Sequence, residues 1–189
     1  MKAIMEEYIE QSIPHEAGHI VVGRILGIPV YRLDHEVLAG PNGELLTGNF
    51  ITVGLAPRDP LAIKYAPPAA IEAFIAYVGG GLAGNYVSET IATEHGLERD
   101  REQLKVVSTR TLEDVATNDS KPIVEANKNM WEHLQVLFRN SYQKLLRGKL
   151  QVGRHTLLDR QQLEAICPQN KTRFPAFWNP VKQGRRGSH

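Results

Sequence analysis

After Pro14 the chain reads His15-Glu16-Ala17-Gly18-His19 and continues into the apolar run Ile20-Val21-Val22. This stretch constrains the fold more than any other. Side chains at i and i+4 are neighbours on a helix, so two histidines four apart can aim at one ion if the segment is helical. Zinc bonds imidazole nitrogen at about 2.0–2.1 Å and favours four ligands. Two histidines leave room for one further protein ligand and a water, and Glu16 stands where it can take a proton from that water. The same five residues also arise on an amphipathic helix whose histidines merely cover its polar edge. A third ligand and a helical context distinguish the two cases.

The helical context is present. Residues 2–11 read as a short helix, and Ser12 is a suitable N-cap for a helix over Ile13–Leu26, with Pro14 tolerated in its first turn. The alternative is a single helix kinked at Pro14. Val21, Val22, Ile25 and Leu26 would bury it, and Gly27 and Pro29 would stop it. Beyond it, Val30–Leu33 and Asn49–Val53 have strand-like content around the turn signal Pro41-Asn42-Gly43, which predicts a small antiparallel sheet of two or three strands. Residues 54–67 carry the breakers of a loop.

Pro67 and Pro68 open the next predicted helix, with Ile71, Phe74, Ile75 and Val78 as its buried stripe. It continues through Gly79-Gly80-Gly81 to Ile91. Each glycine costs a helix about 1 kcal/mol, so a helix that keeps three is expected to use them for close packing. Leu97, Leu104, Val107 and Val115 then define a further helical stripe, and Asp100 falls on it. An inward carboxylate needs a partner. A metal ion would serve, and so would backbone amides at a helix start; spacing alone leaves both open. Glu94 and His95 compete as ligands. Residues 120–147 read as one long helix capped by Ser120, with Trp131, Leu134, Phe138 and Tyr142 in the core and His133 on the surface. Asp159 and Gln162 form a predicted capping box for a short helix through Cys167.

Composition narrows the function. The 189 residues carry a net charge of +1, which gives no electrostatic footprint for nucleic acid. One cysteine excludes an internal disulfide framework or a cysteine-based zinc cluster, and Cys167 reads as a part-buried thiol. No apolar run approaches the roughly 20 residues that span a bilayer, and the amino terminus turns acidic too early for a signal peptide. The expectation is a cytoplasmic protein without membrane contact. It has one domain over residues 1–168 and an irregular, aromatic and proline-bearing tail over 169–189, whose last residues, Gly187-Ser188-His189, read as an expression scar.

Taken in order, these pieces resemble the peptidase domain of FtsH-type ATP-dependent zinc metalloproteases. The likeness spans most of residues 10–168. His15–His19 is similar to that family's His-Glu-x-Gly-His sequence, Tyr77–Ala83 to its Gly-Gly-rich helix, and Arg99-Asp100 to its aspartate-bearing helix start. Leu145-Leu146, Thr156–Asp159 and Leu163–Ile166 are similar to its closing helix, hydrophobic turn and short helix.

The resemblance implies a mainly α (α+β) fold, with a small antiparallel sheet beside the active-site helix. It implies one zinc ion per chain held by His15, His19 and Asp100, and Glu16 as the residue that activates water. It also implies that Gly48, Asn49, Phe50, Ile51 and Thr52, within the strand-like stretch Thr47–Val53, hold an extended polypeptide substrate by backbone pairing. The expected activity is ATP-independent endopeptidase cleavage of flexible or unfolded chains. A separate ATPase or unfoldase is a possible partner, and a homo-oligomer is a possible state.

Two alternatives stand beside this: a catalytically silent zinc-binding module that mediates protein interaction, and a hydrolase of non-peptide amides. The chain departs from the family pattern in three ways. It has no Gly-x-x-x-x-Gly-Lys-Ser/Thr motif for ATP and no membrane anchor, and Gly84-Asn85 stand where the family has acidic residues.

Overall fold

The computed structural model describes residues 2–42, 45–53, 63, 66–148 and 151–174. The protein is mainly helical with a small antiparallel sheet, as expected. Helix α1 spans Lys2–Leu26 without interruption and contains Pro14. The separate helix starting at Ile13 is therefore not formed. Proline removes one backbone donor from a helix interior, and the packing around this turn outweighs that loss. Ser12 is buried inside α1 and accepts a hydrogen bond from Asn49 Nδ2 (3.0 Å) instead of capping a helix start.

Strands β1 (Val30–Ala39), β2 (Leu45–Val53) and β3 (Gly153–Leu158) form one antiparallel sheet in the order β2-β1-β3. Both β1 and β2 run longer than their apolar signals. The third strand lies where the sequence suggested only a hydrophobic turn, and pairing with β1 supplies the order that its short apolar run could not. Pro41 and Asn42 form the start of the expected turn. Gly43, most of the 54–67 loop and the tail from 175 onward lie outside the described residues.

Helix α2 (Pro68–Ser88) runs straight through the glycine triplet. It ends earlier than Ile91 because Glu89 adopts the left-handed conformation (φ 56°), while Thr90 N–H donates to Asn85 O (3.0 Å) in a Schellman-type stop. Most of its buried residues are small: Ala70, Ala73, Ala76, Gly79–Gly81, Ala83 and Gly84. Of the predicted stripe only Val78 is fully buried, while Phe74 and Ile75 pack at the flank. The reason is α1. A Cβ on Gly18 would lie 2.1 Å from Gly80 O, and one on Gly84 would lie 2.1 Å from Pro14 O. The two helix backbones are in contact there, and small residues are what permit it.

Helix α3 (Glu94–Val107) is capped by Thr93 and ends at Ser108; a separate helix, α4 (Leu112–Val115), starts after Thr111, whose side chain caps it. The predicted stripe from Leu97 to Val115 is thus divided between two helices. A π-helical turn, Ala116–Ser120, joins α4 to α5 (Lys121–Ala126), and α6 (Lys128–Arg147) follows after Asn127. Ser120 is no N-cap. Its buried hydroxyl donates to Ala76 O of α2 (2.7 Å), which ties the π-turn to the glycine helix. Trp131, Leu134, Phe138 and Tyr142 of α6 are buried as expected. The predicted capping box of Asp159 and Gln162 is formed at the start of α7 (Arg160–Ile166).

Residues 169–174 are docked on the domain. Gln169 accepts from Val30 N–H and donates to Ile28 O, and Phe174 is buried. Beside them the buried Arg24 guanidinium binds Cys167 O, Val30 O (2.7 Å) and Glu164. The Cys167 thiol is completely buried, and burial pushes its pKa up to about 11, so it is no nucleophile. Among the described residues, no helix is long and apolar enough to cross a membrane.

Candidate metal centre

His15 and His19 project from the same face of α1, one turn apart. Asp100 enters from the second turn of α3. Their ligand atoms converge: His15 Nε2 lies 3.2 Å from His19 Nε2, and Asp100 Oδ2 lies 3.3 Å from each. All three residues are buried, at 7%, 6% and 4% exposure respectively.

The far side of each imidazole fixes what faces inward. His19 Nδ1 is 2.8 Å from Tyr77 O, a carbonyl, so Nδ1 must be the donor. His15 Nδ1 is 3.0 Å from Asn85 Oδ1. The Asn85 amide cannot be reversed, because its Nδ2 donates to Gln11 O (3.1 Å) and Thr90 Oγ1 (2.9 Å). Asn85 Oδ1 therefore accepts, and His15 Nδ1 donates. In the neutral rings both Nε2 atoms present lone pairs to the point where Asp100 Oδ2 also arrives. Asp100 Oδ2 is buried and has no hydrogen-bond partner. Three electron-pair donors around one point, with no proton between them, make a site for a cation.

The spacing fits a small metal ion. Ligands held tetrahedrally at about 2.0–2.1 Å from a metal lie about 3.3–3.4 Å from one another, close to the separations seen here. The group His15, His19 and Asp100 could hold a metal ion, with the fourth direction left for a further ligand. Without a cation the cluster would retain a proton. Burial opposes charge on both partners, yet the attraction between Asp100 and His19 outweighs it. That attraction holds the Asp100 carboxyl well below the usual carboxylate range and raises His19 to about 9.

Spacing had left Asp100 open between a metal ligand and a helix-start acceptor. The structure decides against the latter: Thr93 occupies the N-cap and accepts from Gly96 N–H, while Asp100 sits about two turns further on. Of the competing candidates, Glu94 is exposed and paired with Arg101 (3.0 Å), and His95 is exposed at the cleft wall. His133 is exposed, as expected.

Glu16 is half-buried and lines the same cleft of about 330 Å³ as the three ligands. Burial raises its pKa, and this outweighs the opposing effect of the two histidines. The cleft runs between the start of α3 and the outer edge of β2, which pairs with no other strand among the described residues. Of the five predicted substrate-strand residues, Gly48, Asn49 and Ile51 line it. Asn49 is held internally, its Oδ1 accepting from His35 Nδ1 (2.8 Å) and its Nδ2 reaching Ser12. Thr52 is spent on Asp34 and Arg32. Both side chains are thus committed within the domain. The side chain of Phe50 lies outside the described residues.

Sequence reasoning missed the roles of Tyr77, Gly81 and Asn85. A Cβ on Gly81 would lie 2.4 Å from His19 Nε2 and 2.5 Å from His15 Nε2. The three residues recur at four-residue intervals along α2, one face of a helix, and that interval was the available signal. Gly84-Asn85, noted as a departure from the family pattern, now has a physical account: Gly84 admits the backbone of α1, and Asn85 orients His15. No model of a known protein family matches the chain, and no curated protein sequence matches it.

Proposed function

We propose that the protein is a zinc-dependent endopeptidase related to the FtsH-type peptidase domain, acting on flexible or unfolded polypeptides. The observation that carries this reading is the convergence of His15 Nε2, His19 Nε2 and the partnerless Asp100 Oδ2 within 3.3 Å of one another, in a cleft that Glu16 also lines. Two imidazoles and one carboxylate, with one position open, are the ligand chemistry of a hydrolytic zinc centre. Zinc bound there supplies Lewis-acid polarisation of the scissile carbonyl and acidifies water.

The chain's own residues do the rest. His19 is held by Tyr77 O and His15 by Asn85, so both rings keep their aim. Glu16 takes a proton from the attacking water and returns it to the leaving amine. A structural metal site has no use for such a base, which favours catalysis over a silent binding module. The edge of β2 that is unpaired among the described residues offers alternate backbone groups to an extended chain along the cleft, the recognition mode available to any exposed sheet edge. Flexible segments fit this mode because they can extend. A folded substrate would need a separate ATPase or unfoldase to deliver it.

The test pairs metal content with proteolysis. Wild type should contain about one zinc per chain and cleave an unfolded protein such as casein. Glu16→Gln should keep the metal and lose cleavage. Absence of bound zinc sinks the scheme, and equal inertness of wild type and Glu16→Gln across varied peptides points to the binding module instead.

A further inference from the structure

The cleft carries a chemical feature that hydrolysis itself does not use. Gly48 of β2, Glu36 of β1 and Arg154 of β3 stand in one row across the sheet, and in a neighbouring row Leu46 faces Leu38. Opposed residues share a face, as do residues two apart on a strand, so Glu36, Leu38, Leu46 and the bare side of Gly48 form one patch. Leu38 and Leu46 are each 50% exposed, and all four residues line the cleft. Neither packing nor backbone conformation requires the glycine. A Cβ at position 48 would meet nothing within 4 Å, and its φ is not positive. What the glycine does is leave the edge strand bare beside Glu36.

We propose that this patch selects a lysine or arginine in the substrate, at the residue in register with Gly48 when an extended chain pairs with the outer edge of β2. The inference rests on the edge-strand binding invoked in the proteolytic reading. Neighbouring strands lie about 4.7–4.9 Å apart, so the selected residue stands about 9.5 Å from Glu36, with only Gly48 between them. Glutamate and a long basic side chain together bridge that gap; a short polar residue does not, and an acidic one is repelled. The methylenes of lysine or arginine lie over Leu38 and Leu46, while the charged end meets the carboxylate. Arg154 already stands 3.7 Å from Glu36, but the two side chains are 49% and 36% exposed. Such exposed pairs contribute little, and an incoming cation shares the carboxylate readily. The facing wall of the cleft carries Arg99 and His95, so the basic preference is confined to this one position.

The test uses the zinc-loaded full chain bearing Glu16→Gln and fluorescein-labelled ten-residue peptides of alanine, threonine and valine. A single lysine, norleucine or glutamate is walked through the peptide, and binding is read by anisotropy. At one position lysine should bind about two- to fivefold tighter than norleucine, the range an exposed ion pair supplies. Adding Glu36→Gln should erase that difference, Glu36→Lys should pass the preference to glutamate, and Gly48→Val should weaken it. Equal binding of lysine and norleucine at every position, a preference that survives Glu36→Gln, or no binding of any peptide overturns the inference. Casein cleavage by the otherwise wild-type chain is scored separately. Its failure with the lysine preference intact sinks the proteolytic reading and leaves the patch standing.

Discussion

His15 and Asn85 are joined by a 3.0 Å hydrogen bond in which the imidazole Nδ1 donates, because the amide nitrogen of Asn85 is committed to Gln11 O and Thr90 Oγ1. One side chain of α2 thus sets the tautomer of a residue on α1 and aims its remaining lone pair at Asp100. Partners of this kind are worth about 10–100-fold in metal affinity. Asn85→Ala is expected to weaken zinc binding by that factor, as read by competition with a chromogenic chelator, while the far-ultraviolet circular dichroism stays that of the wild type.

Zinc binding should also register as stability. A ligand that binds only the folded state adds about 2.7 kcal/mol at a free concentration 100 times its Kd. Added zinc is expected to raise the Tm of the metal-free wild type and of Glu16→Gln alike, and to leave His19→Ala unmoved. A Tm of His19→Ala that rises as far as that of the wild type would place the metal elsewhere.

Two glycines of α2 separate packing from binding. At Gly84 an added methyl meets the backbone carbonyl of Pro14 at 2.1 Å, which cannot swing aside. Gly84→Ala is expected to cost about 1–3 kcal/mol in urea denaturation, the usual penalty for overpacking. At Gly81 the methyl meets the ligand atoms of His15 and His19 instead. Gly81→Ala is expected to abolish metal binding, with a smaller loss of stability than Gly84→Ala.

His35 predicts an acid-side loss of stability. It is completely buried against Tyr142, donates from Nδ1 to Asn49, and has no partner at Nε2. Burial pushes its pKa below the ordinary histidine value, with Asn49 only partly opposing. The unfolded chain therefore takes up the proton first as the pH falls through about 6.5, and stability drops from there until the pH passes the lowered folded value. The slope from this one group is at most about 1.4 kcal/mol per pH unit. His35→Asn keeps a donor near Asn49 and cannot titrate. Urea midpoints of that variant should fall less steeply with acid than those of the wild type.

The sequence by itself determined the parts whose physics is local. Helical spacing alone put His15 and His19 on one face, the glycine triplet announced a close helix contact, and Asp159 with Gln162 announced a capped helix; each depends only on residues within a few positions of one another. Asp100 was legible as an inward carboxylate but not as a ligand, because whether a buried charge meets backbone amides or two imidazoles from another helix is set by how α1 and α3 are brought together. The same holds for Pro14, whose local preference for a helix start yields to contacts with α2 and Trp131.

The third strand exists only because β1 offers it a partner. The π-turn at Ala116–Ser120, anchored through Ser120 to Ala76, has no pattern in the sequence at all. Tertiary structure decided which atoms converge, and therefore that His15-Glu16-Ala17-Gly18-His19 stands in a buried cluster that could hold a metal ion and not on a polar helix edge. The reason is that Asp100 and both imidazole supports come from 58 to 85 positions away in the chain, a distance that no periodicity can span.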